Sequence, residues 1–360
     1  MNKYKILLLS MLVVSMVFIG CNDKGITPVE EQGDFIPIQI DGWEISKSEL
    51  DFEVDPMPRD MYFINATTGY FVGYWGEIYK TTDAGSSWQK QNSGTTLQLY
   101  SVFFLDENTG FVSGRAMDCL DDDCDKGCLL LKTIDGGKTW GKTFFKDYID
   151  IHCLHFFDNL NGVAIIYTEQ GIPNTKDRFL AKTSDGGNSW NSINLDIFYA
   201  TDNLYCFDNI LFIAGENQKV FKSKDHGNNW ETIDTPLPAW DNVQRIFFYN
   251  ENIGYINGSN IYKTIDGGLN WKMIDFPFSY FETFHFYNET EGFNIKSVSE
   301  YEGGDYPTYK GCIVSQTNDG GATWKNSPLI YSYPLGLTYF VQPDLGYAIN
   351  PPYFFKVKRK

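Results

Sequence analysis

Short apolar runs rich in Phe and Tyr recur along this chain, and each closes on Asn or Asp and then Gly. Examples are Tyr62-Phe63-Ile64-Asn65 before Gly69, Phe103-Phe104-Leu105-Asp106 before Gly110, and Phe247-Phe248-Tyr249-Asn250 before Gly254. Others run from Phe156 to Gly162, Phe286 to Gly292 and Phe340 to Gly346. Cys206-Phe207-Asp208-Asn209 is a shortened seventh copy without the Gly. Aromatic residues suit half-buried pleated strands, and Asn, Asp and Gly suit the turns between them. Few stretches carry a helical period, so the pattern predicts an all-β chain.

A second signal runs in phase with the first. Thr264-Ile265-Asp266-Gly267-Gly268-Leu269-Asn270-Trp271 has five counterparts with the same spacing. They are Thr81-Asp83-Gly85-Trp88, Thr133-Asp135-Gly137-Trp140, Thr183-Asp185-Gly187-Trp190, Ser223-Asp225-Gly227-Trp230 and Thr317-Asp319-Gly321-Trp324. The hydroxyl and the carboxylate can accept backbone N–H bonds inside a tight turn. The second Gly supplies the positive φ, and the Trp covers the turn as the next strand begins. The period, roughly 40 to 53 residues, is that of a four-stranded propeller blade.

The motif resembles the Asp-box, or bacterial neuraminidase repeat, of β-propellers. Seven aromatic strands stand against six full boxes, and the missing turn is split between the chain ends. Tyr353-Phe354-Phe355-Lys356 reads like Asn260-Ile261-Tyr262-Lys263, which precedes a box. Asp41-Gly42-Trp43-Glu44-Ile45 reads like the end of one. The expectation is a seven-bladed β-propeller over residues 38–360, its last blade closed by the N-terminal strand, which removes the open sheet edges. Trp43, Trp88, Trp140, Trp190, Trp230, Trp271 and Trp324 should be equivalent, and the six Asp-box carboxylates structural.

Residues 1–20 carry Lys3 and Lys5, the apolar run Ile6–Phe18 and small residues before Cys21. The run is short for a spanning helix and has signal-peptide flanks. Phe18-Ile19-Gly20-Cys21 resembles a bacterial lipobox, which implies lipidation of Cys21. The polar, Gly- and Pro-containing residues 21–37 should form a flexible tether. That places the protein in the cell envelope, lipid-anchored, on the periplasmic side or at the cell surface. A formal charge of -17 argues against nucleic acid and anionic lipid as partners.

With strands A to D counted outward from the axis, the A–B turns and the boxes share one face. The B–C loops and D–A connections share the other. The long insertions Ala116–Gly127, Thr168–Arg178 and Ser297–Lys310 all fall on that second, looped face. Its D–A connections hold aromatic residues, among them Trp240, Tyr280, Tyr331 and Tyr333. Upstream of each strand A Gly the chain turns polar, which gives Arg59, Asp60, Tyr100, His152, Asp202, Gln244, Arg245 and Glu282. These should ring the channel mouth as a binding site, or else form a solvated rim. Of the five arginines, strand A alignment assigns only Arg59 and Arg245 to the mouth. His155 and His285 should be core residues, and Cys206 and Cys312 buried thiols.

Asp121, Asp123 and Asp125 alternate as in the start of a calcium loop, without the Gly and Glu in register. Cys119, Cys124 and Cys128 in the same loop allow three disulfide pairings and one leftover thiol. No cofactor is expected.

Propellers host enzymes and scaffolds alike. One exported, lipid-tethered Asp-box propeller resembles the photosystem II assembly and stability factor family and its bacterial relatives. That resemblance implies a monomeric, non-enzymatic binder of an envelope or extracellular protein. The alternatives are a glycan-binding propeller and a sialidase-like glycoside hydrolase. For the hydrolase, the sialidases' Phe/Tyr-Arg-Ile-Pro motif is absent, although Glu282 and Asp202 offer a carboxylate pair.

Overall fold

The computed structural model describes residues 42–50, 57–115, 127–168, 178–195, 204–207, 209–215, 217–275, 283–300, 308–327, 337–350 and 353–360. They build seven four-stranded antiparallel sheets arranged as a β-propeller. Strands A to D of blade 1 are Pro58–Phe63, Gly69–Gly73, Ile78–Thr81 and Gln89–Gln91. Blade 2 has Gln98–Phe104, Gly110–Arg115, Cys128–Thr133 and Gly141–Phe145. Blade 3 has Asp150–Phe156, Gly162–Tyr167, Arg178–Thr183 and Asn191–Ile193. Blades 4 and 5 begin at Leu204 and Arg245, and blade 6 at Thr283. Blade 7 takes Leu337–Gln342, Leu345–Asn350 and Tyr353–Arg359 from the C-terminus and Trp43–Glu49 from the N-terminus. Trp43 pairs with Arg359 and Glu49 with Tyr353, so the ring closes as the split motif requires.

The turns explain the phase of the two sequence signals. In all six boxes the second Gly N–H donates to the Thr or Ser hydroxyl at 2.9 Å. One Asp oxygen accepts the backbone N–H four residues on at 2.8–2.9 Å. The other Asp oxygen accepts from the side chain of that same residue, and together the side-chain and backbone bonds hold the carboxylates of Asp135, Asp185 and Asp225 down to about 2. The A–B turns are capped by their own Asn or Asp, as where Asn250 accepts from Asn252 and Ile253. In blades 1, 2, 3, 5 and 6 the turn then accepts the N–H that follows the box Asp, as where Gly136 donates to Asn108 O and Gly267 to Asn252 O. In the boxes of blades 2, 5 and 6 the Gly carbonyl in turn accepts from a Lys of the preceding blade. Lys80 reaches Gly136 at 2.9 Å and Lys263 reaches Gly320 at 2.6 Å.

Between blades the core is a set of stacked rings. The strand A Phe lies over the strand B Gly of its own blade, where a Cβ would sit 2.4–2.8 Å from the ring. Its other side meets an aromatic of the preceding blade: Phe104 on Tyr70 at 3.9 Å, Phe156 on Phe111 at 3.6 Å, Phe248 on Phe212 at 3.7 Å. Blade 4 departs from this pattern in a coupled way. Cys206 stands where the Phe would be and pairs with Leu211 where the Gly would be. The small thiol makes room for the larger partner, and Val163 replaces the stacking ring in blade 3. Cys206 is half-buried, with Sγ 3.1 Å from His155 Nε2, whereas Cys312 is fully buried.

Cys128 is a buried free thiol at the start of its strand. The two disulfide pairings that would use it are therefore not formed, because its side chain faces the core rather than the insertion. Cys119 and Cys124 lie outside the described residues, as do Asp121, Asp123, Asp125 and Cys21.

Candidate recognition surface

Strand register places the start of strand A, the end of strand B and the start of strand C at one end of each blade. In blade 2 Gln98, Arg115 and Cys128 lie abreast. In blade 3 the same row is Asp150, Tyr167 and Arg178. In blade 1 Pro58 lies opposite Gly73, and the loop Tyr74–Gly76 follows. This is the looped face.

Across these three blades the side chains form one row of cations and rings. The Arg59 guanidinium lies 4.5 Å from the Tyr74 ring and 5.6 Å from the Tyr100 ring. Tyr100 is 5.1 Å from His152, and His152 is 5.0 Å from Tyr167. Arg178 covers Tyr167 at 3.8 Å. Arg59 and Arg115 both pull the Tyr100 phenol down, while burial and Asp150 push it up further. Arg115 therefore belongs to the same electrostatic neighbourhood. The Nε atoms of Arg59 and Arg115 are buried without a hydrogen-bond partner among the described residues. Such donors are costly unless something accepts from them, and burial lowers the Arg59 pKa.

The carboxylates in the row are already engaged. Asp60 accepts from Met61 N and Val102 N, both at 2.8 Å, and so ties blade 1 to blade 2. Burial raises it to about 6 against those bonds. Asp150 accepts Ile151 N at 2.8 Å and holds His152 Nε2 at 2.7 Å. A raised carboxyl in a cleft invites a catalytic reading. Here both oxygens of Asp60 serve the backbone, which fits a structural role better.

Of the expected mouth residues, the row unites Arg59, Asp60, Tyr100 and His152. Gln244 and Arg245 lie in blade 5, where Gln244 N donates to Asn257 O at 2.7 Å. Trp240, 76 % exposed, precedes that blade. Asp202, Tyr280, Glu282, Tyr331 and Tyr333 lie outside the described residues. Beside the two arginines that strand A alignment assigns to the mouth, Arg115 at the end of strand B and Arg178 at the start of strand C lie at the same looped end of the blades as Arg59. Strand A alignment is blind to strands B and C. The usable signal was that Arg115 immediately precedes one long insertion and Arg178 ends the next. Tyr74, Trp75 and Tyr167 were missed as well. Trp75 and Trp240 are the two of nine tryptophans out of register with the boxes, and both are exposed.

Among the described residues no group of three His, Cys, Asp or Glu side chains converges as a metal site.

No protein-family model matches the chain, and no curated protein matches it in sequence. Solved propellers are similar in fold. A structure of YCF48 bound to D1 peptide is 16 % identical with a TM-score of 0.61, covering 91 % of this chain and 100 % of that one. YCF48 from Cyanidioschyzon merolae is 15 % identical with a TM-score of 0.58, covering 86 % and 98 %. The Niastella koreensis GH74 enzyme is 13 % identical with a TM-score of 0.56, and the match spans 86 % of this chain but 53 % of the enzyme. At these identities the likeness is one of fold, that of a β-propeller.

Proposed function

We propose that this protein is a non-enzymatic binding propeller that holds an extended, anionic segment of a protein partner on the looped face of blades 1 to 3. The observation that carries the reading is the row Arg59–Tyr100–His152–Tyr167–Arg178, with Arg115 beside it. Three of five arginines gather there in a chain whose formal charge is -17. Half-buried arginines such as Arg59 and Arg115, whose Nε atoms have no partner among the described residues, suit carboxylates, which accept from them in a planar, charge-assisted geometry. A row that crosses three blades suits an extended segment rather than a compact ligand. The engagement of Asp60 and Asp150 by backbone N–H groups and His152 favours binding over hydrolysis. That a YCF48 propeller has been solved with a D1 peptide supports a peptide as the kind of ligand such a fold can take.

The leader Met1–Gly20 and the lipobox-like Cys21 support an exported protein tethered in the envelope. We place the partner among envelope or extracellular proteins.

The test is crosslinking in the native cell followed by pull-down of the tagged protein. Arg59→Gln/Arg115→Gln/Arg178→Gln should lose the principal crosslinked protein, while Arg359→Gln, on the blade 6–7 seam, should retain it. A partner that survives the triple change removes this site. Turnover of an aryl glycoside or sialoside by the purified protein overturns the non-enzymatic reading. Retention of an acidic glycan in place of a protein overturns the partner class.

A further inference from the structure

The loop after strand B of blade 1 holds an aromatic side chain in a backbone conformation that works against it. Trp75 lies at φ 61 and ψ 25, and Gly76 follows at φ 71. Gly or Asn would take the Trp75 position with less strain. The turn is nevertheless locked. Gly73 N donates to Glu77 O at 3.1 Å, and Glu77 N to Tyr74 O at 3.2 Å. Ser93 Oγ donates to Gly76 O at 2.6 Å. Buried Glu77 is paired with Lys90 at 2.6 Å. A Cβ on Gly76 would meet Thr95 O at 1.9 Å, so the backbone has no room to relax.

For all this constraint, the Trp75 side chain is 65 % exposed and adds little to the core. Its neighbour Tyr74 lies under Arg59, which puts this loop at the blade 1 end of the cation–aromatic row. Strain that survives at an exposed aromatic position, beside a charged row, points to recognition rather than to folding.

We infer that Trp75 is a preset anchor for a bulky apolar side chain of the bound segment, next to the carboxylates that the arginines take. This rests on the anionic-segment reading above. A rigid indole contributes large contact area at small entropic cost, the property that concentrates binding energy at Trp in interfaces. Its place one residue after the Tyr74 that Arg59 covers sets the order of the recognised segment. The apolar residue sits at one end, and acidic residues run from there toward Arg178.

The probes are short extended peptides rich in Asp and Glu, with Leu at one end or the other, and matched peptides with Ala in place of Leu. Binding to the full-length protein in detergent is read by fluorescence polarisation. One Leu peptide should bind about tenfold tighter than its Ala partner. Trp75→Gly should erase that preference, leave the Ala peptide's affinity unchanged, and keep or raise Tm because the strain is relieved. The triple arginine variant should lose both peptides. A Leu preference that survives Trp75→Gly, or equal binding of the Leu and Ala peptides to the wild type, overturns the anchor alone. Peptide binding that the triple arginine variant leaves intact, or none to the wild type, overturns the site beneath it.

Discussion

The two faces of this propeller use the same residue types to opposite ends. On the box face the polar atoms answer one another. Thr or Ser hydroxyl, Asp carboxylate and Gly N–H meet in a repeat that barely varies from blade to blade. On the looped face of blades 1 to 3 nothing repeats. Three arginines come from strand A of one blade, strand B of the next and strand C of the third, and the Nε donors of two of them have no partner among the described residues. Repetition marks groups that the fold consumes, and irregularity marks groups held for something outside it. The distinction is useful because composition hides it. Aspartates are plentiful on the box face and functionally inert there by this account, while five arginines in all suffice to define a site.

The contrast can be attacked from the strongest effect downward. Gly110→Ala would drive a methyl to 2.4 Å from the Phe104 ring. It should cost about 1–3 kcal/mol by overpacking, read by denaturant unfolding. In blade 4 the same logic runs backwards: Cys206→Phe should be destabilising alone and substantially rescued by Leu211→Gly. A double-mutant cycle should show coupling of about 0.5–3 kcal/mol, and additive losses would break the account of that seam. Thr264→Val strips the hydroxyl that accepts from Gly268 and donates to Asp266. A loss of about 1–3 kcal/mol is expected, with no change in binding.

Acid should act through His155 and His285, which burial pushes down to about 4 from 6.5. The unfolded chain takes up their protons first, so the stability they supply is complete above about pH 6.5 and is lost as pH falls toward 4. Phe at both positions, the residue that blades 2 and 5 carry there, should flatten Tm across that window. Asp60 works the other way between about pH 4 and 6, because its raised pKa favours the folded state in acid; Asp60→Asn should steepen the acid loss. The smallest effect on stability, within about 0.5 kcal/mol, belongs to the arginine variants, although they should have the largest effect on binding.

The sequence made the repeating face readable and the irregular face only partly so. Four residue types in register predicted the turns, the seven blades and the closure by Trp43, because each has a fixed hydrogen-bonding or packing duty. The missing Gly of the seventh strand was visible, but not its reason. That lies in a contact between Cys206 and Leu211 on paired strands. The site was half legible. Counting back from the Gly that follows strand A found Arg59, Tyr100 and His152, whose place the repeat sets. It could not find Arg115, Tyr167 and Arg178, because strands B and C reach the face through register, and loop lengths differ between blades. Asp60 was legible as polar and near the mouth, but its two backbone N–H partners decide what it does. Trp75 needed only the observation that it stands out of phase.

The central claim is that recognition takes place on one face and over three blades. A photoreactive amino acid placed at Tyr100 tests it against one placed at Leu269, which is 81 % exposed on the box face. In the living cell the Tyr100 probe should give one strong protein adduct, with the crosslinked peptide acidic, and the Leu269 probe none of that species. An equal adduct from Leu269, or none from Tyr100, would contradict the account.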